Sequence, residues 1–216
     1  MNDSCRICGT QTRSFLHQRT KTAYYHCPNC GFIQKDEACF PDRDQEIQIY
    51  LRHENSLERA DYVAFLKGFV DEALIPFVGN GKKGLDFGSG PTPVLSQILI
   101  RDYGFDVDIY DYYFAPEKIY QGKTYDFVIT SEVIEHIREP KEVFDLFAKL
   151  LPPGGVLAIM TLFHPQSDDD FQTWWYTRDK SHISFFVPET FRYLAKNYGF
   201  RIVRSDGLRQ ITFVKI

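Results

Sequence analysis

Four cysteines stand as two pairs, Cys5-Arg-Ile-Cys8-Gly9 and Cys27-Pro-Asn-Cys30-Gly31, with 18 residues between them. Two thiolates at that spacing grip one tetrahedral cation from a tight turn, and two such turns complete a four-sulfur shell. The glycine after each pair can take the positive φ of the knuckle and leave backbone N–H groups aimed at sulfur. Structural zinc is the expected ion, with iron the alternative. A closed shell has no open coordination position, so this metal is not expected to be catalytic. The opening MNDSCRICGT is polar, with no apolar signal core behind it, so a cytoplasmic chain without disulfides is expected. Cys39 reads as an unpaired thiol and His26 as a surface residue.

A second group lies in LDFGSGPTP, residues 85–93. Gly88 and Gly90 let a backbone approach a ligand closely, while Thr92 and Pro93 suit the N-cap and first position of a helix. Proline stands where the third glycine of a dinucleotide fingerprint belongs, which speaks against NAD, and no Lys-Ser/Thr pair follows, which excludes a P-loop. About twenty residues beyond Gly90 a strand ends in Asp111, where a carboxylate can accept both hydroxyls of an unphosphorylated ribose.

The elements that must position these groups follow from periodicity. Residues 1–35 form the ribbon, with short strands at Phe15–His17 and Ala23–His26. Residues 36–55 are polar and irregular and read as a linker. From Ser56 to residue 216 comes one domain. Tyr62, Phe65, Leu66, Phe69, Val70, Ala73 and Leu74 follow helical spacing, and Pro76 and Gly79-Asn80-Gly81 end that helix. Strands are expected near 83–87, 106–110, 125–130 and 155–161, with helices near 93–103 and 140–150. A helix from Pro188 to Gly199 and two strands near 200–205 and 210–216 close the chain. Alternating β and α units predict a doubly wound parallel sheet, and the short last connection predicts an antiparallel final strand. Only fourteen residues lie between Asp111 and Asp126, too few for a helix, a strand and a second helix. The third-strand region of the sheet should therefore be shortened.

LDFGSGPTP, DIYD, YDFVITSEVIEHIREP and LLPPGGVLAIMT, in that order, resemble class I S-adenosylmethionine-dependent methyltransferases over roughly residues 60–216. SEVIEHIREP and LLPPGG are similar to the quinone-biosynthesis, small-molecule branch. A CxxC…CxxC ribbon ahead of such a domain resembles the sugar C-methyltransferases, and an rRNA guanine methyltransferase family shares that pairing. The resemblance implies a Rossmann-like fold with S-adenosylmethionine as cofactor. Asp86, Gly88, Ser89 and Gly90 would lie along the methionine portion, Asp111 on the ribose and Tyr112 beside the adenine, with Ser131 and Glu132 facing the sulfonium. Carboxylates and aromatic faces suit a cationic sulfur.

Residues 163–187, FHPQSDDDFQTWWYTRDKSHISFFV, fall where such enzymes build a substrate wall. Trp174, Trp175 and Tyr176 can cover a sugar, quinone or base, or can form a local core. The run Asp168–Asp170 reads as a solvated loop. SHISFF resembles the His-Ile-Ser-aromatic stretch of the sugar C-methyltransferases, making His182 a candidate base, although Ser181 stands where they carry glutamate. His136 and His164 are further candidates, each against a structural hydrogen-bonding role. The acceptor is expected to be small, a sugar nucleotide or a quinone-like phenol. The alternatives are an RNA or protein substrate docked through the ribbon, and a non-catalytic cofactor-binding adaptor. The chain carries −4, with +4 on residues 1–35 and −8 on the rest, so the large domain has no general attraction for RNA. No apolar run is long enough to cross a bilayer.

Overall fold

The computed structural model describes residues 4–52 and 55–216. Three short strands open it, β1 (Arg13–Leu16), β2 (Ala23–His26) and β3 (Ile33–Lys35), followed by helix α1 (Arg43–Tyr50). Helix α2 (Ala60–Phe69) runs through a π turn at Val70–Leu74 into the short α3 (Ile75–Val78). Next come β4 (Lys83–Phe87), α4 (Val94–Tyr103), β5 (Asp106–Tyr110), β6 (Phe127–Ser131), α5 (Pro140–Leu150) and β7 (Val156–Met160). The remainder is α6 (Asp168–Thr173), the two-residue strand β8 (Ser184–Phe185), α7 (Pro188–Tyr198), β9 (Phe200–Ser205) and β10 (Gln210–Lys215).

The main sheet has the order β5-β4-β6-β7-β10-β9. Strands β4 to β7 are parallel, and β10 runs antiparallel to both β7 and β9. Every residue of β7, VLAIM, is buried, as a strand covered on both faces requires. Leu66, Phe69, Ile98 and Leu99 cover one face, while Phe144, Phe147, Phe191 and Leu194 cover the other. Gly104 and Gly199, both at φ +68°, end α4 and α7 in the left-handed conformation that glycine tolerates. Turns alone join β5 to β6 among the described residues, so the usual third strand is missing and β5 is the sheet edge.

Chain order reverses at β4: α4 leads outward to β5, and the chain then returns to β6 on the other side. The crevice beyond the carboxyl ends of these strands is where a doubly wound sheet binds ligands. It holds Gly88, Asp111 and Ser131.

Three local expectations change. Residues 36–55 hold helix α1, nucleated by a capping box in which Asp42 accepts from Gln45 N–H and Gln45 accepts in return from Asp42 N–H. Asp168, Asp169 and Asp170 form the first turn of α6, where carboxylates complement the helix N-terminus, and Asp168 pairs with Arg13. Thr92 makes no cap for α4; the buried Asp86 carboxylate accepts Ser96 N–H at 3.2 Å instead.

A second sheet, β1-β2-β3-β8, is antiparallel throughout, and its last strand comes from the segment after β7. Ile33 faces Phe185 and Gln34 faces Ser184. Phe32 meets Phe186 at 5.1 Å between ring centres, and Phe186 stacks on Phe191 at 5.2 Å, so the ribbon and the main sheet share one apolar core.

Candidate active site

A cavity of about 1000 Å³ opens at the switch point, walled by the β4–α4 loop, the ends of β5 and β6, helix α1 and the segment around Tyr176 and His182. That is the upper end of the range for small-molecule sites. Asp86, Gly88, Ser89, Gly90, Asp111, Tyr112, Ser131, Glu132, His136, Trp175, Tyr176 and His182 all line it. Trp174 does not. It packs in an aromatic cluster with Phe171, Tyr176 and Phe185 and borders a separate smaller hollow. His164 is also turned away from this cavity, and its Nε2 bonds Gly31 O at 2.7 Å.

The loop after β4 is held from β5. Gly88 and Ser89 donate to Tyr110 O, and Gly90 donates to Asp111 Oδ2 at 2.9 Å. Both glycines have positive φ, and a Cβ on Gly88 would meet Val133 at 2.3 Å. Asp111 Oδ1 accepts Tyr113 and Phe114 N–H at 2.8 and 3.0 Å. Three of its roughly four lone-pair positions are thus used, which leaves room for one ribose hydroxyl rather than two. Tyr112 is 72% exposed at the rim. Ser89 Oγ is buried without a hydrogen-bond partner among the described residues. Burial raises the Asp86 carboxyl to about 7, and the Asp111 charge adds to the effect.

At the end of β6 the backbone turns through Glu132 at φ +54°, a conformation costly for a non-glycine residue. It brings Glu132 and Glu135 onto one hydroxyl: Tyr176 Oη lies 2.8 Å from Glu132 Oε2 and 2.5 Å from Glu135 Oε1. Burial raises both carboxyls, and for Glu135 the Glu132 charge adds to it. Glu132 Oε1 and Glu135 Oε2 are buried without partners among the described residues.

Two imidazoles stand above this pair. His136 Nδ1 lies 3.1 Å from Ser181 O, and His182 Nδ1 lies 2.8 Å from Tyr176 O. A carbonyl can only accept, so each Nδ1 carries the proton, and in the neutral ring the lone pair is on Nε2. Burial, reinforced by His182, pushes His136 down to about 3. The rings are 4.8 Å apart, and His182 lies 4.0 Å from the Tyr176 ring. The donor atoms of Glu135, His136 and His182 lie within 4.8 Å of one another, a set able to hold a metal ion.

In the ribbon, Cys5 Sγ and Cys30 Sγ are 3.7 Å apart and Cys8 Sγ and Cys27 Sγ 3.3 Å, with no disulfide. Four sulfurs at about 2.3 Å from a tetrahedral zinc would be about 3.8 Å apart, so the residues fit that ion.

Sequence reasoning missed Arg6, Lys35, Glu46 and Tyr50. Glu46 Oε2 accepts Tyr113 Oη at 2.5 Å, and the Tyr50 ring lies edge-on to His136 at 5.2 Å. The capping box at Asp42 was the available signal for α1.

The fold has known counterparts. The chain belongs to the family described as Methyltransferase domain, whose model matches residues 58–205. A ubiquinone biosynthesis O-methyltransferase of Caulobacter vibrioides is 50% identical over 38 residues, covering 18% of this chain and 15% of that protein. The chain thus aligns with less than a fifth of that curated relative's length. An O-methyltransferase family protein from Burkholderia thailandensis superposes with a TM-score of 0.53 at 19% identity, covering 72% of this chain and 57% of the other. Streptomyces venezuelae DesVI gives 0.54 at 13% identity, covering 82% and 100%. At those identities the two structures show a shared fold.

Proposed function

We propose that the chain binds S-adenosylmethionine at the β4–α4 loop and moves its methyl group onto a hydroxyl of a small acceptor, with structural zinc on Cys5, Cys8, Cys27 and Cys30. The observation that carries this reading is the meeting of Gly90, Asp111, Glu132 and His182 in one cavity. Two of the similar proteins, those of Caulobacter vibrioides and Burkholderia thailandensis, are O-methyltransferases by name, which supports oxygen as the acceptor atom. When bound, the cofactor supplies an electrophilic methyl on a cationic sulfur. The chain's own task is to fix the two partners in line and to accommodate the hydroxyl proton.

Asp111 and the loop amides orient the ribose end, with Tyr112 beside the adenine. Asp86 and Ser89 meet the amino-acid end, and Ser131 and Glu132 face the sulfonium. Trp175 and Tyr176 cover the acceptor, a sugar nucleotide or a phenol, beside the lone pairs of His136 and His182. A small acceptor is favoured over RNA because β3 and the Cys27–Cys30 knuckle are packed on the main domain.

His182→Ala is expected to lower turnover at least about 100-fold, the span of acid–base contributions, while cofactor affinity stays within twofold. Near-normal turnover by the folded variant excludes the role. Equilibrium binding should also depend on pH through Asp86. Its carboxyl is neutral below about 7 and charged above, so affinity for the cationic cofactor rises from pH 5.5 to 7. Calorimetry across that interval checks this, and Asp86→Asn should flatten the profile.

A further inference from the structure

We propose that the ribbon is the positioning device of the histidine pair, and that Arg6 and Lys35 are the positioning residues through which the four-cysteine site holds His136 and His182. Arg6 is the second residue of the first Cys-x-x-Cys turn, so a metal there fixes its backbone directly. Its N–H bonds Gln34 Oε1, and its guanidinium reaches across to the main domain. Nη1 donates to Arg138 O at 2.6 Å and Nη2 to Ile183 O at 2.9 Å, with Ser184 Oγ at 3.4 Å. One planar group therefore ties the segment following His136 to the segment following His182. Lys35 completes the clamp. Its N–H donates to Ile183 O at 3.0 Å, and its ammonium donates to Lys180 O at 2.6 Å and His182 O at 3.3 Å. The carbonyls of residues 180, 182 and 183 are all held by the ribbon.

Arg6 stacks over Phe32 and Phe40, but stability alone does not explain the buried cation of Lys35. Lys35 is 5% exposed, and neither residue forms an ion pair among the described residues. A charge buried against neutral carbonyls is often less stabilising than a hydrophobic side chain of similar volume, so its use here points to geometry. The clamp adds to a short local frame. Strand β8 has two residues and, among the described residues, pairs only with β3, while Ile183 N–H meets Glu135 O at 2.8 Å and Ser184 Oγ meets Ile137 O at 2.7 Å.

The test uses the full, zinc-loaded chain with ¹⁵N-labelled histidine and reads the Nδ1–H protons of His136 and His182 by their exchange with water. Lys35→Met and Arg6→Met should each speed that exchange about tenfold or more as the carbonyl partners drift. The thermal midpoint should not fall in Lys35→Met, and cofactor affinity should stay within twofold. With an acceptor in hand, kcat should fall more than KM rises. Lys35→Arg, which keeps a cation on the same carbonyls, should restore slow exchange. If Arg6→Met does not fold, the Lys35 pair carries the test alone. Unaltered exchange, loss not restored by Lys35→Arg, or a parallel loss of cofactor affinity overturns the proposal. Its kinetic arm rests on the methyl-transfer reading, but the exchange measurement needs neither cofactor nor acceptor. Failure of cofactor binding in the parent chain would therefore count against that reading alone.

Discussion

Asp111→Ala is expected to raise the dissociation constant for S-adenosylmethionine at least about 100-fold. The carboxylate holds Gly90, Tyr113 and Phe114 N–H, and so shapes both walls of the proposed ribose site before any ligand arrives. Hydrogen bonds to a charged group are worth about 1.5–3 kcal/mol each. The ligand bond together with part of the loop's preorganisation then gives about 3 kcal/mol, or two decades. Asp111→Asn should fall between, because its amide oxygen can still accept Tyr113 and Phe114 while the amide nitrogen meets Gly90 N–H unfavourably. Calorimetry on the three proteins gives the order. Equal affinity in the alanine variant would remove the cofactor from this loop and with it the proposed reaction.

The second large effect is expected from Cys30→Ser. Zinc in four-sulfur sites contributes on the order of 10 kcal/mol to small domains, so a weakened site should cost at least about 5 kcal/mol. For a chain of this size that lowers the thermal midpoint by roughly 10–20 °C. The damage should spread beyond the ribbon, because Cys30 O accepts Thr190 Oγ1 at the start of α7 and Cys5, Cys27 and Cys30 belong to the core that includes Phe186 and Phe191. Cys39→Ser, at an exposed thiol, should change neither stability nor metal content. Calorimetric melting with zinc analysis checks both variants. A Cys30→Ser midpoint within a degree or two of the parent would show that the four thiols hold no stabilising ion.

Much of this fold was legible because local rules and tertiary packing agree. The two Cys-x-x-Cys turns, Gly88 and Gly90, and the helix-ending Gly104 and Gly199 each declare a backbone requirement in their own residue type. The short connection after Asp111 made the missing strand a matter of counting. The unread parts are those with no local signature. Helix α1 has no fully buried residue, so periodicity is silent there, and only its capping box speaks. Trp174 and Trp175 are identical neighbours, yet one joins an aromatic cluster and the other faces the cavity; composition cannot separate them. The pairing of β3 with β8 depends on two stretches far apart in the chain, and a two-residue strand offers no alternation to read.

That pairing also governs the order in which the protein can be completed. Ile33 and Phe185 are separated by about 150 residues, and ribosomes add roughly 5–20 residues per second. The ribbon therefore emerges roughly 8–30 s before its last strand, with the hydrogen-bonding edge of β3 uncovered. An open edge invites pairing with other chains, and a lysine on it discourages them. Lys35 occupies that edge and is buried only when the late segment arrives. During synthesis the same ammonium would stand as a guard against aggregation, and no nascent chain could hold its two histidines in place until the edge is closed.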